Sequence, residues 1–275
     1  MLNSGPNVRR GLGARVRLWA LLALLASTVL WAWHDIRARR ARTEWQRPLQ
    51  VSVALVQLGA VDPVALDALR ARFPALEQRL ADEYRRYGGT LTRPVTFTIF
   101  GPVSVDRPPP ADPDASLASL ARHAYEQWRW THAIDRGSKL ESAGFDSRIY
   151  VVVRAPHDRA RSWVEGSSEQ GGRVGVARIE LGASTLDLAL FVVTHEFFHT
   201  LGATDKYDEQ GRALIPSGLV EPDRVPLYPQ RFAEVMTRNL VIARGHERPP
   251  ESLAELGVGK DTAREIGWLS SAPSK

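Results

Sequence analysis

The chain has no cysteine, which removes disulfides, thiolate nucleophiles and cysteine-held metals; any bound metal must be ligated by histidine and carboxylate. Methionine is nearly absent too. Beyond Met1 there is only Met236. Long apolar runs are missing except for Leu18–Trp33, and no internal repeat is present. An excess of basic charge is also missing from most of the chain. The formal net charge is +5, but nine of the 36 basic residues and only two of the 31 acidic ones fall within residues 1–47, leaving the remainder at net −2. A basic nucleic-acid-binding face on the folded part is therefore disfavoured.

The sequence predicts four segments: a basic N-terminal stretch (1–17), a membrane anchor (18–33), a basic polar linker (34–48) and a folded domain (49–275). The segment LWALLALLASTVLWAW is uncharged and flanked by arginines, with Trp19, Trp31 and Trp33 where interfacial aromatics belong. A cleaved signal peptide is the competing reading, but no small-x-small site follows it. Four arginines precede the segment and five follow, so the flanks barely discriminate orientation. The adopted reading places the folded part on the periplasmic or extracellular face.

From residue 49 the pattern alternates. LQVSVALVQL (49–58) is apolar and β-branched; Leu66, Leu69, Phe73, Leu76 and Leu80 recur at helical spacing; residues 93–104, 148–156 and 172–181 read as strands, and 116–136 as a helix. This alternation predicts an α/β fold with a twisted, mostly parallel sheet, its last strand antiparallel at an edge. An N-terminal subdomain (49–202) would carry the sheet and the active-site helix, with a small irregular C-terminal subdomain (203–275). HDRARSWVEGSSEQGG (157–172) and the Pro-rich segment 209–231 read as long loops of functional interest.

Ser184-Thr-Leu-Asp187 resembles a capping box and opens the apolar helix LALFVVTHEFFHTLG. His195 and His199, four apart, project from one helix face and can grip one ion. Glu196 beside them is placed to take a proton from water and return it to a leaving amine. Gly202 can turn the chain back so that Asp205 supplies a third ligand, leaving one coordination position open, as catalytic zinc requires.

His195-Glu196-x-x-His199-x-x-Gly202-x-x-Asp205 resembles the extended zinc motif of metzincin peptidases, in the variant with Asp as third ligand and Tyr207 two residues on that is seen in snapalysin and immune-inhibitor-A-type peptidases. The resemblance implies a Zn2+ cofactor, a peptide or protein substrate, a methionine turn at Met236 beneath the metal, and strand 172–181 as the edge that pairs with extended substrate. Metzincins that place a zinc-facing Tyr two residues after that methionine have a counterpart here in Arg238, which leaves Tyr207, Tyr228 and His246 as candidate electrophilic helpers.

Simpler readings stand beside these. Asp205 fits a turn aspartate, Met236 core packing and Tyr207 a packed aromatic; His123, His132 and His157 read as structural or surface residues. A gluzincin-type peptidase would take Glu221 or Glu234 as third ligand, although Pro222 makes Glu221 a poor helix residue. A membrane-anchored binding protein without turnover would have no need of Glu196. Residues 253–266 resemble one imperfect helix-hairpin-helix element, a packed C-terminal helix being the favoured reading.

Overall fold

In the computed structural model, residues 9–111, 113, 116–156, 164–168 and 171–269 are described. They fall into two units divided between Ala41 and Arg42.

The described part of the first unit is helix α1 (Arg9–Thr43) as far as Ala41; the helix is long and apolar enough over residues 15–43 to cross a membrane. Leu18, Trp19, Leu21, Leu24, Leu30 and Trp33 are all exposed. The polar groups inside the apolar stretch are satisfied internally: Ser27 Oγ and Thr28 Oγ1 donate to the carbonyls of Ala23 and Leu24 at 2.9 and 2.8 Å. The helix runs through most of the expected linker, and Arg42 to Pro48 belong to the second unit, so the compact fold begins seven residues before the expected start at Leu49.

In the second unit, β1 (Leu49–Leu58) lies in the sheet interior because its apolar run serves both faces. Leu49, Val51, Val53 and Leu55 join one core layer, and Ala54 and Val56 the other. α2 (Pro63–Arg86) starts where Asp62 accepts the Val64 N–H at 2.9 Å and Pro63 presets φ, and it buries Leu66, Leu69, Phe73, Leu76 and Leu80 under the sheet. β2 (Val95–Val105) pairs parallel with β1, and α3 (Leu117–Ser138) covers the opposite face through Thr131 and Ile134. β3 (Ser147–Arg154), β4 (Val164–Ser168) and β5 (Val174–Glu180) complete a sheet of order β2-β1-β3-β5-β4, in which β4 alone is antiparallel.

Two expectations are corrected here. The strand at 174–180 is interior and parallel to β3, and the antiparallel edge is β4, inside the stretch expected to be a loop. VEGSS has too little apolar patterning to announce a strand. It forms because β5 offers it an open ladder.

α4 (Leu186–Leu201) packs Leu190, Val193, Phe197 and Phe198 into the larger core layer. The expected capping box is absent, because Asp187 pairs with Arg72 and accepts the Leu253 N–H at 2.9 Å, while Thr185 Oγ1 takes the Gly182 N–H. Beyond α4 the chain is irregular. It holds the short strands β6 (Ala233–Glu234), β7 (Leu240–Ala243), β8 (His246–Arg248) and β9 (Leu256–Gly257), then α5 (Lys260–Glu265). β6 pairs with β9 and β7 with β8.

Candidate metal centre

Apolar residues fix the roll of α4 by burying one side, and the four-residue spacing then aims both histidines at the same point. Their Nε2 atoms lie 3.0 Å apart, with the ring planes at 89°. Gly202 closes the helix at φ 104°, its N–H bonded to the His199 carbonyl at 3.0 Å, and a left-handed turn of this kind favours glycine. The chain reverses and brings Asp205 Oδ1 to 3.2 Å from each Nε2. Among the described residues this is the one group of three or more side chains able to share a metal ion.

The backs of the rings decide what the triangle suits. His195 Nδ1 lies 3.0 Å from the Val235 carbonyl and His199 Nδ1 2.9 Å from the Ala203 carbonyl. A carbonyl only accepts, so each Nδ1 carries the proton and each Nε2 turns a lone pair inward. Two lone pairs and a carboxylate oxygen facing one point repel each other unless a cation sits among them, a metal ion or, failing that, a proton that an imidazole shares with Asp205. Ligand atoms held tetrahedrally at about 2.0–2.1 Å from zinc are roughly 3.3 Å apart, close to the spacing here. The donor set fits zinc. Burial alone would lower the His195 pKa, but the Asp205 hydrogen bond and the Glu196 charge outweigh it and raise it. Burial would likewise raise Asp205, yet both histidines hold it well below the usual carboxylate range. Glu196 is 2% exposed, adjacent to His195 on α4.

Tyr207 lies with its ring nearly parallel to His195, centroids 6.4 Å apart, and Arg238 sits 5.0 Å over the tyrosine ring. Asp205 and Arg238 act on its hydroxyl with opposite sign. Burial, reinforced by Asp205 and opposed by Arg238, raises its pKa, so the phenol stays a proton-bearing donor. Arg238, the residue that departs from the metzincin pattern, thus meets Tyr207. Asp208 is tied into its own turn, accepting N–H groups from Gln210 and Arg212. Tyr228 lines a cleft of about 560 Å³ with Asp208 and Arg244, and His246 is exposed at the start of β8.

Met236 is fully buried, and its carbonyl accepts the Lys206 N–H at 2.9 Å, next to Asp205 in the chain. Neither alternative third ligand reaches the histidines. Glu221 is ion-paired with Arg231, while the Glu234 carboxylate, 1% exposed, accepts the N–H groups of Met236 (2.6 Å) and Gly259 (3.1 Å). His123 bonds the Ala111 carbonyl and His132 stacks on Trp128; His157 lies outside the described residues. Residues 253–266 pack Leu253, Leu256, Val258 and Ile266 into the core. The carbonyls of Val235 and Ala203, which orient the rings, could not be found from sequence because backbone groups leave no signature in it.

No protein-family model matches the sequence. No curated protein matches it either. Among solved structures the chain is similar to archaemetzincin from Methanopyrus kandleri, with 16% identity over 57% of this chain and 76% of that one, at a TM-score of 0.32. A likeness of this size carries no functional argument, and what the site does rests on its own geometry.

Proposed function

We propose that this chain is a zinc-dependent endopeptidase of metzincin type, held at a membrane by α1 with its second unit on the extracytoplasmic side. One observation carries the reading: three ligand atoms converge at 3.0–3.2 Å while the far nitrogen of each imidazole is engaged by a backbone carbonyl. His195, His199 and Asp205 would hold the ion. Bound zinc supplies a Lewis acid that polarises a peptide carbonyl and acidifies water at the site. Glu196 accepts the proton of the attacking water and passes it to the departing amine; its burial keeps that carboxylate out of bulk solvent. Tyr207, with Arg238 against its ring, donates toward the carbonyl oxygen as negative charge develops there. An extended peptide would add to the edge strand β4, which packs beside α4.

Metal analysis of the purified full-length protein with peptide-library cleavage tests this. Wild type should hold zinc and cut, and Glu196→Gln should keep zinc while losing about 10²–10⁴-fold in turnover. Undiminished cleavage by Glu196→Gln would remove Glu196 from the mechanism, and a folded wild type without zinc would sink the reading. Retention in membranes through carbonate washing tests the anchor. Mature protein beginning just after Trp33 would replace the anchor with a cleaved signal.

A further inference from the structure

An α-helix leaves its last carbonyls without intrahelical partners, and how they are satisfied sets the stiffness of its final turn. In α4 that turn carries His199. The Phe198 carbonyl takes the Ala203 N–H at 3.1 Å, and the His199 carbonyl takes the N–H groups of Gly202 and Gly171 at 3.0 and 2.8 Å. The Thr200 carbonyl is met from elsewhere. Arg42, 3% exposed, donates to it from Nη2 at 3.4 Å and to the carbonyls of Gly171 and Gly172 at 2.9 and 3.1 Å. One guanidinium thus holds the end of α4 together with the segment that caps His199. Its positive charge lies where the helix dipole is negative.

The residues after Arg42 are fixed as firmly. Trp45 has φ 49°, which a bulky side chain rarely adopts unless its surroundings impose it. Its indole N–H donates to the Ile266 carbonyl at 2.7 Å, and its ring packs against Trp268, which in turn packs edge-on against Phe198 of α4. Gly267 passes so close that a Cβ there would lie 2.0 Å from the Thr43 carbonyl oxygen. Only glycine permits that approach.

We infer that Arg42 is a positioning residue of the metal centre: it caps the helix that presents His195 and His199, so residues 42–45 are scaffold for the site rather than a spacer. The inference rests on the metal reading above. Without the cap the last turn of α4 loosens, His199 loses its fixed bond to Ala203, and the Gly202 turn no longer delivers Asp205 to one place.

The test compares full-length wild type with Arg42→Met, which keeps an apolar stem of similar length and removes the donors. Arg47→Met serves as control, since it deletes an arginine whose side chain bonds the Pro48 carbonyl and Asp146 rather than any group of α4. The readouts are hydrogen exchange of residues 199–206 in metal-free protein, zinc release to a chelator, and the visible bands of the cobalt(II)-loaded form. Arg42→Met should raise exchange in that segment, speed zinc release by on the order of tenfold, and shift the cobalt bands. Arg47→Met should do none of these, and Arg42→Lys should fall between. Wild-type exchange, release and spectrum in Arg42→Met would overturn the inference; should that variant fail to fold, Arg42→Lys decides on the same readouts. Faster exchange in a protein that binds no zinc even as wild type would overturn the metal reading and leave the cap standing.

Discussion

His195 Nδ1 and the carbonyl oxygen of Val235 lie 3.0 Å apart, although forty positions separate them in the chain. The bond joins α4 to the Ala233–Thr237 segment, and Glu234 holds that segment in turn by accepting the Met236 and Gly259 N–H groups. The orientation of one imidazole therefore depends on a turn in the irregular C-terminal part. This gives the buried Met236 segment a concrete task.

If Asp205 completes the metal shell, Asp205→Ala should fold and lose at least about a hundredfold in zinc affinity, because two histidines make a poor site. Glu221→Ala should keep stoichiometric zinc. Asp205→His should recover much of the loss if the turn after Gly202 accommodates the larger ring. Zinc titration with circular dichroism on the three variants checks this, and full retention by Asp205→Ala would remove Asp205 as a ligand.

Glu234 is expected to matter for stability rather than ligation. Glu234→Ala leaves two buried N–H groups without acceptors, at about 1–3 kcal/mol each, and should lower the urea midpoint while the folded fraction still binds one zinc. Loss of zinc without loss of stability would reverse this assignment.

Tyr207→Phe removes only the hydroxyl, so it should keep zinc and KM while lowering kcat by roughly 10- to 100-fold. Arg238→Met should act in the same direction through the ring it covers. A change confined to KM would make Tyr207 a binding residue.

These expectations were only partly legible in the sequence. The convergence of His195, His199 and Asp205 was, because a four-residue spacing on an apolar helix and a glycine at its end are local facts. β1, α2 and β3 were legible for the same reason, their periodicity being written into consecutive residues. β4 was not, since VEGSS owes its strand to a neighbour. Arg42 and Trp45 were misassigned to a linker because a charged, arginine-rich stretch signals solvent, whereas their partners stand at 171–172, 200 and 266–268.

Acid should loosen the start of β1 through Asp146. Burial opposes its ionisation, but Arg47 and the Gln50 N–H outweigh burial and lower its pKa below 3.8. A lowered folded-state pKa contributes stability that is present above that ordinary value and lost as pH falls through the folded one. Asp146→Asn should cost about 1 kcal/mol at neutral pH, the Arg47 end of the pair being exposed, and the difference from wild type should close as the pH falls through the lowered folded-state value. A gap in the unfolding midpoints that persists at the acid end would show that the pair contributes otherwise.

The contact between Trp45 and Ile266 spans 221 residues, and it bears on how the molecule is made. Closing so long a loop is slow, and this contact cannot form before Ile266 has been made. His195, Glu196 and His199 leave the ribosome well before Gly267 and Trp268, on a helix whose end is not yet braced. A nascent chain therefore carries these three side chains before the end of α4 is braced, and the brace waits for α5 and Trp268 to emerge and hold Trp45.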